Sequence, residues 1–348
     1  MRNSMITRRI VLLTLTLLVS VNLQAVSKRG TTAASFLEIG IGARGTSMGN
    51  AYVAVADDVH SLYWNPAGLA LMNKSEVSFI QTKWLAGIDF NNVSAAFPMG
   101  NLGTIGVALT SISVEEMDVR TIEKPEGTGE KFGATDFSAT LGWGRSFTDR
   151  FSFGANVKYI EEQIWHMKAS SVAVDLGTTF RTQFKDMKIG MSVTNFGNKM
   201  QLKGDDTLLK IDIAPDQEGN NSKINGHLDT DYWSLPLTFR VGVAADVFKI
   251  PHGKLTLAMD AAHPNNYAES ISFGGEINIM DLAFLRAGQT FYLNDVDDDG
   301  NSFSPERFNL GGGINILLTR DLRFKLDLAY GDWGILSDVR RFSLSLEF

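Results

Sequence analysis

Two segments near the end of this 348-residue chain alternate strictly between apolar and polar residues. In residues 322–330, Leu, Phe or Tyr occupies every second position, with Arg, Lys, Asp and Ala between them. Residues 341–348 repeat the pattern and end in Phe348. Because successive side chains of a strand point to opposite faces, this period of two predicts strands with one apolar face and one wet face.

Fourteen segments of strand length follow Glu76, with almost no helical periodicity between them. Short turns, such as residues 148–150, alternate with longer polar connections, such as residues 198–232. Outer-membrane barrels have tight turns at one end and loops at the other, and soluble sandwiches have no reason to segregate them. We therefore predict an all-β fold, a 14-stranded antiparallel transmembrane β-barrel. The segments are residues 76–86, 88–98, 102–118, 133–147, 150–162, 170–182, 187–197, 233–249, 254–263, 269–280, 282–293, 306–318, 321–331 and 339–348.

The first 25 residues predict that the chain is exported from the cytoplasm. Three arginines within the first nine residues precede an apolar run over residues 10–21, which is too short to span a membrane as a helix. We predict a signal peptide over residues 1–25, with cleavage after Ala25, and a location in the bacterial outer membrane.

Composition excludes several classes of function. The chain has no cysteine, which rules out disulfides, thiol nucleophiles and cysteine-based metal sites. The formal charge of −7 becomes −10 once the three signal-peptide arginines are removed, and so acidic a surface argues against a nucleic-acid partner.

Residues 36–69 are rich in Gly and Ala, carry few charges and precede the first strand. A barrel of fourteen strands is wider than side chains alone can fill, so an unblocked lumen would leak. We therefore predict that residues 26–75 form a lumen plug, or hatch, inside a barrel formed by residues 76–348. Within it, Ser47 is predicted to cap a helix over Met48–Val55, and Asn65 to cap a turn whose first helical residue is Pro66. A flexible linker is the alternative.

Aromatic residues cluster near the predicted loop end, where rings favour the level of the lipid headgroups. We interpret these as an outer girdle: Trp84, Trp165, Trp233, Tyr292, Tyr330 and Trp333. An inner girdle is predicted from Phe97, Phe147, Phe151 and Phe284.

Two glycine patterns have alternative chemical interpretations. Residues 40–45 fit G-x-G-x-x-G, but hairpins follow instead of the strand–helix–strand unit that a dinucleotide site needs. Residues 45–49 fit the G-x-S-x-G nucleophile elbow, yet nothing supports its strand–turn–helix setting. Close packing in the lumen and a helix cap are the favoured interpretations, and we predict no enzymatic activity.

One acidic stretch fits a calcium loop. Residues 295–300 read D-V-D-D-D-G, and a glutamate follows at the position that closes a calcium shell. The candidate ligands of Ca²⁺ are Asp295, Asp297, Asp299 and Glu306. A solvated acidic loop tip is the alternative, and no other cofactor is predicted.

Residues 36–70, FLEIGIGARGTSMGNAYVAVADDVHSLYWNPAGLA, are similar to the N-terminal signature of the PorV/PorQ family, within the FadL-like barrel superfamily. Residues 119–136, 193–202 and 258–266 resemble further parts of that family. The resemblance implies a 14-stranded barrel and a hatch with an Asn-Pro-Ala motif. The candidate plug and gate residues are Arg44, Tyr63, Trp64, Asn65, Pro66, Ala67 and Gly68.

The resemblance implies two alternative functions. PorV serves type IX secretion by collecting exported proteins, whereas FadL-like channels take up long-chain fatty acids or other hydrophobic molecules. We favour the docking of exported proteins, with residues 198–232 as the contact surface. Outer-membrane lipid and the barrel-assembly machinery are the other predicted partners.

Overall fold

Fourteen antiparallel strands form one closed sheet in the computed structural model, which describes residues 29–184, 187–218, 223–293 and 308–348. The strands are β1 Glu76–Lys83, β2 Asp89–Pro98, β3 Thr104–Ser113, β4 Ala134–Ser146, β5 Phe151–Ile164, β6 Met167–Arg181, β7 Lys188–Gly197, β8 Thr238–Ile250, β9 Gly253–Pro264, β10 Ser270–Ile279, β11 Ala283–Tyr292, β12 Phe308–Leu317, β13 Arg323–Asp332 and β14 Asp338–Glu347. Each strand pairs with its sequence neighbours, and β1 pairs with β14 to close the ring. The predicted barrel is confirmed.

The two faces of the strands have opposite character. In β1 the buried residues are Glu76, Ser78, Ile80 and Thr82, whereas Val77 and Phe79 on the other face are 37% and 41% exposed. The same alternation recurs around the ring, so the outer surface is largely apolar and the inner face is largely polar. This distribution suits a barrel surrounded by lipid.

The two ends of the barrel differ as the sequence predicts. Short turns join β2 to β3, β4 to β5 and β8 to β9, while the connection from β7 to β8 is the longest. That connection extends to residue 237, beyond the predicted boundary at 232. Tyr232–Trp233 pairs with Met200–Gln201 instead of joining β8, and Pro236 has no N–H to donate to the sheet.

Three short two-stranded sheets lie at the loop end, and the pairing of Tyr232–Trp233 with Met200–Gln201 is one of them. Met117–Asp118 pairs with Lys131–Phe132, so β3 ends earlier than predicted, and Leu208–Ile211 pairs with Ile224–His227. Lys203–Gly204 adds two residues to the edge of β6.

Helical structure is confined to short pieces. The α-helices are α1 Ala43–Ser47 and α2 Ser61–Trp64, and the 3₁₀-helices are Ser35–Glu38, Pro66–Leu71, Leu85–Gly87, Gly100–Leu102, Asp205–Thr207 and Gly334–Leu336. Across the described ranges, no helix is long and apolar enough to cross a membrane.

Residues 29–75, here called the N-terminal segment, run along the inside of the sheet. At the loop end Thr32 bridges to Ser234, and at the opposite end Ser75 exchanges two backbone hydrogen bonds of 2.9 Å with Phe348. Nearly all residues between 34 and 72 are buried or half-buried. The segment therefore extends through the barrel from its loop end to its turn end.

Inward-facing glycines let this segment approach the sheet closely. A Cβ added at Gly154 in β5 would overlap the backbone of Pro66, and one added at Gly288 in β11 would overlap the backbone of Met48. Any larger residue at these positions would push the N-terminal segment away from the wall.

The predicted helix over Met48–Val55 is wrong. Ser47 is the last residue of α1 instead of a cap before it, and its hydroxyl donates to the Arg44 carbonyl at 2.9 Å. Gly49 and Asn50 adopt positive φ angles of 64° and 66°, a conformation that ends a right-handed helix. The predicted cap at Asn65 is confirmed, since its side-chain oxygen accepts from the Ala67 N–H at 3.2 Å.

Candidate functional site

Asn65 joins the N-terminal segment to the barrel wall. It is completely buried, and its side-chain amide donates to the Val53 carbonyl at 2.8 Å and to the Thr178 carbonyl of β6 at 3.1 Å. Its extended backbone conformation places Pro66 as the first residue of the 3₁₀-helix that follows. One side chain thus joins the turn at residues 65–67, the turn at Val53 and the sheet.

The residues that follow Asn65 are closely packed against the rest of the N-terminal segment. Ala67 is fully buried, and a Cβ added at Gly68 would overlap the Ala56 carbonyl and the Ser61 hydroxyl. Close backbone packing therefore requires a glycine here.

Tyr63 and Trp64, the last residues of α2, come directly before Asn65. The Trp64 indole donates to the Ile41 carbonyl at 2.8 Å, and its ring meets the Tyr63 ring edge-to-face with centroids 4.9 Å apart. The guanidinium of Arg240 in β8 lies 5.8 Å from each ring. These contacts attach α2 to the β8 side of the barrel.

Arg44 forms the second anchor of the segment. Its Nε donates to Glu276 Oε2 at 2.8 Å and its Nη2 to Glu276 Oε1 at 3.1 Å, which is a two-bond pair with β10. Its Nη1 donates to Asp57 at 2.7 Å. Glu276 also accepts from Arg286 of β11 at 2.7 Å, so the carboxylate is shared between segment and wall.

Asp58 and His60 form a buried charged pair beside Arg44. Burial alone would raise the pKa of Asp58, but His60 and Arg44 hold that pKa well below its usual range. Burial alone would lower the pKa of His60, but Asp58 outweighs it and raises that pKa above its ordinary value. His60 also contacts the Ser78 hydroxyl of β1 at 3.0 Å.

The geometry does not support the hydrolase interpretation of residues 45–49, because the candidate nucleophile Ser47 is not hydrogen-bonded to His60. Ser47 bonds to the Arg44 carbonyl, while His60 contacts Ser78, which is 1% exposed. The glycines of the G-x-G-x-x-G pattern serve packing, because Cβ atoms added at Gly42 and Gly45 would crowd His60 and Trp64.

Sequence reasoning missed the inward carboxylates that hold the segment. Asp260 of β9 accepts from the backbone N–H groups of Tyr52 and Val53, both at 2.7 Å. The sequence does contain a signal for these carboxylates: Asp260 and Glu276 are each a single acidic residue within a largely apolar strand. The inward charges of β13 pair with other strands: Lys325 lies 2.6 Å from Glu347 of β14.

A cavity of about 630 Å³ lies between the N-terminal segment and the loops. Its aromatic lining is Phe36, Tyr63, Trp64, Trp84, Tyr267, Tyr292 and Trp333. Trp84 and Trp333 meet edge-to-face at 5.1 Å, with the inward Arg341 guanidinium 5.5 Å from the Trp84 ring. The prediction that Trp84, Tyr292 and Trp333 belong to a lipid-facing girdle is therefore wrong, whereas Tyr330 is 41% exposed on the outer surface.

The calcium motif, Asp295 to Glu306, falls on residues 294–307, outside the described ranges, and stays a prediction. So does the signal peptide over residues 1–25. Elsewhere in the described chain, no group of three His, Asp or Glu side chains could hold a metal ion.

An outward apolar belt, a closed ring of fourteen strands and tight turns at one end define an outer-membrane β-barrel. A family model described as "Type IX secretion system protein PorV" matches residues 22–206, more than half of the chain. The chain belongs to the PorV family. No match is found among curated protein sequences.

Solved structures share the fold. The chain is similar to the CymD monoaromatic hydrocarbon channel, with TM-score 0.55, 11% identity, and coverage of 89% of this chain and 97% of that one. The toluene transporter TbuX of Ralstonia pickettii gives TM-score 0.53, 12% identity, and coverage of 88% and 97%. The toluene transporter TodX of Pseudomonas putida gives TM-score 0.53, 12% identity, and coverage of 88% of this chain and 96% of that one. At this identity they establish a FadL-like fold.

Proposed function

We propose that this barrel docks exported proteins at the cell surface in a type IX-like secretion pathway, a role of binding instead of catalysis. Membership of the PorV family supports this role. The observation that carries it is an exposed apolar hairpin, Leu208–Ile211 with Ile224–His227, in the longest connection at the loop end.

The hairpin has the features of an incomplete sheet. Its register places Leu209, Ile211 and Ile224 on one face, where they are 39%, 40% and 40% exposed. It forms a separate two-stranded sheet within the described chain, and such hairpins are at best marginally stable alone in water. A partner strand added to one edge would supply main-chain hydrogen bonds and cover the apolar face.

Charge favours a basic partner strand. Residues 198–237 contain seven acidic residues and four lysines. An exported protein with a basic, β-branched edge strand would complement this surface.

In this proposal the N-terminal segment acts as the plug. The bonds of Asn65 to β6, Arg44 to β10 and Asp260 of β9 to residues 52–53 tie it to two separate parts of the wall, since β9 and β10 are neighbours. A barrel closed in this way suits docking at its rim better than passage through its lumen.

The test is capture of a defined exported protein from the same cell by the purified barrel. Replacing residues 208–227 with a short Gly-Ser turn should abolish capture, because it removes the edge and the apolar face. Replacing residues 120–129, in the β3–β4 connection, serves as the control. Capture that survives the first replacement would exclude the hairpin as the docking site.

The aromatic cavity favours a second candidate, a channel or binding protein for hydrophobic molecules such as long-chain fatty acids. Its volume of about 630 Å³ falls in the range of ligand pockets. Native mass spectrometry should then show a small-molecule adduct that Trp84→Ala weakens and Tyr330→Ala, on the outer surface, does not. An adduct-free barrel from its own membrane contradicts this candidate.

A further inference from the structure

The turn between β4 and β5 carries an arginine set among aromatic rings on the lipid-facing surface. Trp143, Arg145 and Phe147 alternate along β4 and the start of the turn, so they lie on one outward face. The two rings pack edge-to-face with centroids 6.4 Å apart, and the Arg145 guanidinium lies 5.8 Å from the Phe147 ring. The Trp143 indole is satisfied by the Leu102 carbonyl at 2.8 Å, which holds this face in place.

Arg150 lies in the turn that follows this face, and Arg181 lies beside that turn at the end of β6. The Thr148 hydroxyl accepts from the N–H groups of Arg150 and Phe151, at 3.3 Å and 3.0 Å, which orders the turn. The Arg181 N–H donates to the Arg150 carbonyl at 2.8 Å, which brings the end of β6 beside it.

These arginines are available for a ligand. In the part of the chain that the structure describes, no carboxylate lies within 4.0 Å of the Arg145, Arg150 or Arg181 guanidinium. Asp149 lies in the same turn, next to Arg150 in the sequence. Phe147 and Phe151 are 57% and 37% exposed, an unusual amount of aromatic surface unless acyl chains cover it.

We propose that this face binds an anionic phospholipid of the inner leaflet, with its phosphate on Arg145 and Arg150 and its acyl chains along Trp143, Phe147 and Phe151. The tight-turn end of such barrels faces the periplasm, and Arg145 is one residue from the end of β4, at headgroup depth. Guanidinium forks bind phosphate oxygens in pairs, and apolar rings at this level contact the upper acyl chain. The phosphate is therefore held by guanidinium groups that form no ion pair with any carboxylate of the described residues.

Lipid exchange on the full-length barrel, followed by native mass spectrometry, tests the proposal. Purified barrel is exchanged into mixed micelles that contain equal phosphatidylglycerol and phosphatidylcholine, and the retained lipid is counted. We expect retained phosphatidylglycerol to exceed phosphatidylcholine. Each arginine near an anionic lipid surface accounts for about fivefold in affinity, so R145S/R150S should lose about 25-fold.

The matched control is K254S/R320S, which removes two positive charges at the same end, one near the start of β9 and one in the β12–β13 turn. Equal losses in both double variants would overturn the site, as would equal retention of the two lipids by the wild type. R145K/R150K keeps the charge but not the fork, so intermediate retention is expected. Heat-dependent electrophoretic mobility confirms that each barrel is folded before lipid is counted, so that a loss of binding is distinguished from a loss of fold.

Discussion

Arg44 of the N-terminal segment and Glu276 of β10 are joined by two hydrogen bonds, of 2.8 Å and 3.1 Å, inside the closed barrel. Glu276 is only 1% exposed, so its charge depends on Arg44 and Arg286 for compensation.

Arg44→Gln should destabilise the barrel by about 3–5 kcal/mol, because it leaves Glu276 buried with one fewer cation. Urea unfolding of the wild type and the variant measures the difference. R44Q/E276Q should recover part of that loss, since it removes the uncompensated charge as well. A double variant less stable than R44Q would contradict the pairing.

Asn65→Ala should cost about 1–3 kcal/mol, because the Val53 and Thr178 carbonyls lose their shared donor. Hydrogen exchange of residues 65–72 should accelerate, as the turn is no longer capped. Asn73→Ala, at an exposed position just beyond the turn, should leave exchange unchanged. Equal protection in N65A and wild type would show that the cap is dispensable.

Gly154→Ala should displace the 3₁₀-helix at Pro66 from the wall, because the added methyl group overlaps its backbone. If this segment blocks the lumen, single-channel recordings in planar bilayers should show new conductance. Gly275→Ala is the control, since its Cβ meets the Leu257 side chain at 3.4 Å and the Thr256 carbonyl at 4.0 Å, both ordinary contact distances. A silent G154A barrel that is fully folded would refute the blocking role of this contact.

Stability should fall as pH rises through the raised pKa of His60. A group whose pKa is higher in the folded state stabilises it fully below the unfolded pKa, here about 6.5, and loses that effect above the folded pKa. Asp58, with its lowered pKa, stays ionised throughout this range. Thermal unfolding between pH 5 and pH 9 should show a decline that His60→Gln removes. An unchanged slope in H60Q would assign the decline to another group.

The barrel was predictable because its strands obey a local rule. Residues 322–330 alternate in sequence, and residues 328–331 of β13 alternate between exposed and buried, since each strand has one face in lipid and one in the lumen. The cap at Asn65 was also predictable, because the hydrogen bond spans only two residues. Local patterns of this kind need no knowledge of the rest of the chain.

The anchors were not predictable, because each joins residues far apart in sequence. Arg44 and Glu276 are separated by 232 positions, and nothing near Arg44 identifies its partner. The incorrect helix over Met48–Val55 has a related cause. Its apolar spacing reflects packing against several strands instead of one helical face, and tertiary contacts override local propensity.

Ring closure joins β1 to β14, with Glu76 opposite Glu347. β1, the first barrel strand to be synthesised, therefore has no β14 to pair with until the C-terminal residues have been made. Until then, the N–H and C=O groups along one edge of β1 stay unpaired. Such an edge is a template for aggregation while the chain crosses the periplasm. The cell must shield this edge during biogenesis, and a truncation that removes β14 would leave it permanently open.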